Sequence, residues 1–162
     1  MSPGELATVS DSDRILLTLN LMRKTWMQQK PDEAAAKARA LLDLAARDQN
    51  DALYGDALFE ANVILGKIAL RRGDKKAAVR GLMAAAGTPG SDRIRRGEFE
   101  MNLPRALVDW GERHAVAEFF ERMAPKTVHP KQFQDWAAEI LKGINPDLIP
   151  TFSVQGCSQD PC

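Results

Sequence analysis

The stretch that most constrains this chain is residues 65–82, where Leu65-Gly66-x-x-Ala69 is followed by Arg72-Gly73-Asp74 and then by Ala78-x-x-x-Leu82. Leu65 and Ala69 fall four apart, on one face of a helix, with Gly66 beside them. Gly73 ends that helix, and Asp74 supplies an oxygen to cap the next. Ala78 and Leu82 again lie four apart, small then large. A chain built on this unit is committed to helical hairpins. Such hairpins work by stacking into surfaces that hold other molecules.

The register agrees with the tetratricopeptide pattern, W-x2-L-G-x2-Y, then A-x3-F, then P, over about 34 residues. Asn62, Leu65, Gly66 and Ala69 occupy the first-helix places, Ala78 and Leu82 the second-helix places, and Pro89 stands near the expected proline. The aromatic residues of the pattern are missing from this copy. A second copy follows 38 residues later at Trp110-Gly111-Glu112, with Leu103 and Leu107 before it and Val116 and Phe120 after it. A weaker third copy lies upstream, where Lys30-Pro31-Asp32 precedes Ala36, Ala40 and Leu41. Breaks at 31, 73 and 111 predict an all-α fold: a right-handed, tetratricopeptide-like stack of about three hairpins and a C-terminal capping helix.

The spacing of apolar residues predicts about seven helices. The first carries Ile15, Leu16, Leu19, Met22 and Trp26 and stops at Lys30-Pro31; the second begins at Asp32-Glu33. The third spans 51–72. Gly66 within it costs about 1 kcal/mol against alanine, which a close crossing by a neighbouring helix would explain. The fourth runs from Asp74 to Ala86. Gly87 to Glu98 reads as the longest connection in the chain. Pro104 is comfortable only in a first turn, so the fifth helix is placed to start at 100–103. The sixth covers 112–124. The seventh covers 131–141 and has no partner after it, so it is read as the cap.

At 162 residues one domain is expected: a flexible N-terminus at 1–10, a helical domain over 11–150 and a polar tail at 151–162. No apolar run reaches the roughly 18 residues of a membrane span, and no secretory signal is visible, so the cytoplasm is the expected compartment and no membrane partner is expected. The net charge is zero but unevenly spread. Residues 67–96 hold nine Lys/Arg against Asp74 and Asp92, a net of +7. Either these cations pair with acidic flanking helices, or they form a basic patch for an acidic partner.

Residues 51–150 resemble an uncharacterised bacterial family of tetratricopeptide-like proteins. The resemblance is carried by Leu65 through Asp74, by Gly87-Thr88-Pro89-Gly90-Ser91, by Trp110-Gly111-Glu112-Arg113, and by Trp136 with Ile140, Gly143, Pro146 and Asp147. It implies a helical-repeat domain and no known activity. The chain departs from the family at 93–104, where Arg93-Ile94-Arg95-Arg96-Gly97-Glu98-Phe99 replaces a Ser-Phe-Gly-Pro segment.

No hydrolase, P-loop, dinucleotide or zinc-protease motif is present. His114 and His129 are separated by 15 residues and a helix break, a poor basis for a shared metal site. No cofactor or metal is expected, and no enzyme. Cys157 and Cys162 read as free thiols in the tail. The expected function is non-catalytic recognition of a protein or peptide in a groove lined by first-helix side chains. Asn62, Lys67, Arg71, Arg93, Arg95 and Arg96 are the candidate partner-binding residues. The alternatives are a nucleic-acid accessory using the basic 67–96 segment, and a thiol redox protein using Cys157 and Cys162.

Overall fold

The computed structural model describes residues 9–149, so Cys157 and Cys162 lie outside the described residues. Among the described residues there are eight α-helices and no strand. They are α1 (Asp11–Met27), α2 (Pro31–Ala45), α3 (Tyr54–Arg71), α4 (Lys75–Ala86), α5 (Asp92–Arg95), α6 (Asn102–Asp109), α7 (Arg113–Met123) and α8 (Pro130–Leu141), with a 3-10 turn at Ala124–Lys126. No helix among the described residues is long and apolar enough to cross a membrane.

The three sequence breaks are three copies of one backbone turn. After α3, Gly73 adopts φ +75°, and the N–H of Asp74 reaches back to the carbonyl of Ala69 at 2.9 Å. Asp74 then accepts from the N–H of Ala77 at 2.9 Å, so one residue closes a helix and opens the next. After α6, Gly111 at φ +88° and Glu112, bonded to the carbonyl of Leu107 at 2.8 Å, repeat this closure. After α1 the same closure joins Lys30 to Thr25 at 3.0 Å, but the left-handed position is Gln29, at φ +59°. Pro31 follows at the start of α2, where a missing N–H costs nothing.

Helix α3 lies between two cores. Ala57, Ala61, Ile64 and Ile68 pack with Ile15, Leu19 and Met22 of α1 and with Ala34, Ala38 and Leu41 of α2. Phe59 and Val63 pack with α4, α6, α7 and α8. Each fully buried Leu, Ile or Phe here contributes on the order of 1.5–3 kcal/mol. The sequence places Gly66 at a close crossing, and Gly66 is buried against α4 and Leu103.

The third break does not make a third close hairpin. Helix α6 has eight residues, about 12 Å, too short to cover α7. The main partner of α7 is α8. Phe120 meets Trp136 at 5.4 Å, Phe133 meets Trp136 at 5.1 Å, and Phe99 stacks on Phe133 at 5.7 Å. The last helix therefore forms a hairpin with α7 as well as closing the core. Gly87 to Glu98 is not a plain loop either. Ser91 caps the single turn α5 by accepting from the N–H of Ile94 at 3.1 Å, and Ile94 is buried. Helix α6 begins at Asn102, so Pro104 sits in its first turn, as the sequence requires.

Candidate functional site

Two adjoining cavities run along α3, the first closed by α1, α5 and residues 98–100 and the second by α1 and α6. The first has a volume of about 270 Å³. Phe59, Val63, Ile64, Ile94 and Phe99 give it an apolar lining, and Trp26 and Met27 border it. The second, about 280 Å³, is lined by Leu70, Arg71, Leu103, Ala106 and Trp110. Trp26 and Lys67 line both, so the two form one groove along α3.

The rim is held by ion pairs between distant segments. Arg23 of α1 grips Glu60 of α3 with two hydrogen bonds, 2.7 Å from Nε and 2.5 Å from a terminal nitrogen. The bond to Glu60 raises the Arg23 pKa above its usual value, and burial offsets part of that. Arg93 reaches the same carboxylate at 3.1 Å. Lys67 pairs with Glu100 at 2.9 Å and lies 5.2 Å from the centre of the Trp26 ring. The Arg71 guanidinium lies 4.2 Å from that ring centre, close enough for a cation–π contact, and donates to the Gln29 side chain at 3.0 Å.

Of the residues singled out in the sequence, Lys67, Arg71 and Arg93 line this groove. Arg95 and Arg96 do not. Arg95 sits 3.8 Å from Asp92, and Arg96 bonds Glu98 at 2.6 Å, which holds the Glu98 carboxyl below its usual range. Asn62 is buried, donates to the Leu58 carbonyl at 2.8 Å, and faces a different cavity between α2 and α4. Lys67 and Arg93, from the two ends of the basic segment, border one cavity.

Six of the nine cations in that segment have acid partners: Lys67, Arg72, Lys75, Arg93, Arg95 and Arg96. Sequence reasoning missed Trp26, Phe99 and Glu60 as groove residues. Trp26 stood in a plain apolar stripe, and Glu60 meets Arg23 across 37 residues. Among the described residues no three His, Cys, Asp or Glu side chains gather as metal ligands. Compared with known proteins, the chain matches no family model, no curated protein and no solved structure.

Proposed function

We propose that this chain is a tetratricopeptide-like hairpin module that recognises a protein or peptide without catalysing a reaction, and that the α1–α3–α6 groove is its recognition surface. One observation carries the reading: α3 runs along a groove, walled by α1, by α5 with residues 98–100 and by α6, whose floor is apolar and most of whose rim cations are already paired. A floor of Phe59, Val63 and Phe99 gains from covering by apolar side chains. The Arg23–Glu60–Arg93 and Lys67–Glu100 pairs fix the walls before a partner arrives, which lowers the ordering cost of binding. Six of the nine cations of 67–96 pair with acids, which weakens the case for a basic surface that tracks a phosphate backbone.

Photo-crosslinking in cells tests it. A photoreactive residue at Met27, which is 78% exposed on the groove rim, is expected to capture polypeptide. The same residue at Arg39, beside the cavity between α2 and α4, is expected to capture far less. Equal capture at both sites contradicts the proposal.

A further inference from the structure

Building on the peptide-recognition reading above, we infer that the groove selects a segment carrying a large apolar residue and a carboxylate four or five residues apart, and that Arg71 holds the carboxylate. Arg71 stands out among the cations of the groove. Arg23, Lys67 and Arg93 each have an acid partner, and Arg71 has none among the described residues. Its guanidinium is nonetheless held in place, over the Trp26 ring at 4.2 Å and bonded to Gln29 at 3.0 Å. A planar cation oriented in this way, with donors left over, is a receptor for a carboxylate.

The backbone at Gln29 supports the same assignment. The equivalent position after α3, α6 and α8 is Gly73, Gly111 and Gly143, all with positive φ. After α1 it is Gln29, at φ +59°, a conformation that disfavours a side chain. The side chain kept there is the one that accepts from Arg71. At the other end of the groove, the 270 Å³ cavity over Phe59 and Val63 takes one large apolar side chain. Glu100 borders it, held there by its pair with Lys67.

The spacing follows from helix geometry. Arg71 lies eight residues beyond Val63 and twelve beyond Phe59 on α3. That is about 12–18 Å along the axis. An extended segment covers roughly 3.3 Å per residue, so four or five residues bridge the two points.

Selection of random 12-residue peptides on the full chain tests the inference, with Arg71→Ala and Arg71→Lys selected in parallel. Wild type is expected to enrich peptides with Asp or Glu four or five residues from Phe, Leu, Trp or Met. Changing that acid to its amide is expected to weaken binding about tenfold in wild type, read by fluorescence anisotropy. In Arg71→Ala the apolar preference is expected to persist while the acid preference disappears. Arg71→Lys keeps the charge and loses the planar contact, so it reports the same loss in weaker form if the alanine variant does not fold. Enrichment of apolar peptides without the acid overturns this inference and leaves the peptide-binding reading standing. An acid preference that survives both variants also overturns it. Enrichment of no peptide overturns both.

Discussion

Gly66 and Gly81 meet where α3 crosses α4. A Cβ placed on Gly81 would lie 2.8 Å from the Gly66 Cα and 2.9 Å from the Asn62 carbonyl oxygen, both backbone atoms. A Cβ placed on Gly66 would lie 2.7 Å from Cδ2 of Leu103, the far end of a side chain, and 3.2 Å from the nearest backbone atom, the Ala78 carbonyl oxygen. The two glycines are therefore unequal. Gly81→Ala forces the helices apart. It is expected to destabilise by about 1–3 kcal/mol despite the roughly 1 kcal/mol gain in helix propensity. Gly66→Ala is expected to cost less, and Gly66→Leu to fall in or above the range for Gly81→Ala. Urea unfolding of the three variants checks the order, and a Gly81→Ala variant as stable as wild type contradicts it.

Thr88 ties the segment after α4 to the start of α3. It is almost fully buried, donates to the Gly55 carbonyl at 2.8 Å and accepts from the Gly90 N–H at 3.2 Å. Thr88→Val keeps the shape, leaves the Gly90 N–H without this acceptor and removes the second donor to the Gly55 carbonyl. The expected loss is on the order of 1–3 kcal/mol. Because this segment leads into Ile94 and Phe99, amide hydrogen exchange over 88–100 is expected to accelerate more than over α1 and α2. Unchanged exchange there would show that the tie does not support the groove.

Gln29 holds a positive φ and accepts a hydrogen bond from Arg71. Gln29→Gly is expected to stabilise the chain by up to about 1 kcal/mol, because glycine adopts positive φ freely. The same change is expected to weaken binding of acid-bearing peptides. Thermal unfolding and peptide affinity must move in opposite directions. A variant that loses stability shows that the turn itself needs the glutamine.

Lys126 donates to the Ala86 carbonyl at the end of α4. Burial, and then the nearby charge of Arg122, hold its pKa below the ordinary 10.5. The folded chain thus releases this proton more readily than the unfolded one. The stability that Lys126 contributes is lowest below its folded pKa and rises as pH climbs from there to 10.5. Measured against Lys126→Met at each pH, wild type is expected to gain over that alkaline window. A difference that stays flat, or falls, contradicts the assignment.

Much of the fold was legible because its signals are local. Gly73 and Gly111 mark turns through their own backbone freedom, and Asp74 caps α4 through its own side chain. Gly66 implied a close crossing, and Pro104 fixed where α6 begins. What was hidden depends on distance along the chain. Pairing of α7 with α8 instead of α6 follows from the aromatic contacts of Phe120 and Phe133 with Trp136, which no periodicity announces. Of the site, Lys67, Arg71 and Arg93 were legible as cations on the right segments. Their acid partners were not, since Arg93 meets Glu60 across 33 residues and Lys67 meets Glu100 across 33. Of the three cations that this basic run brings to the rim, Lys67 and Arg93 are thereby paired, and Arg71 has no acid partner among the described residues.

The three tryptophans give the most direct test of the groove as the recognition surface. Trp26 lines both of its cavities, Trp110 lines the second, and Trp136 belongs to the core between α7 and α8. Each indole N–H gives its own signal in a nitrogen–proton correlation spectrum of the full chain. On titration with a peptide selected from a random library, the Trp26 and Trp110 signals are predicted to shift together and saturate, while Trp136 stays in place. A peptide that binds and shifts Trp136 alone, or shifts none of the three, contradicts the account.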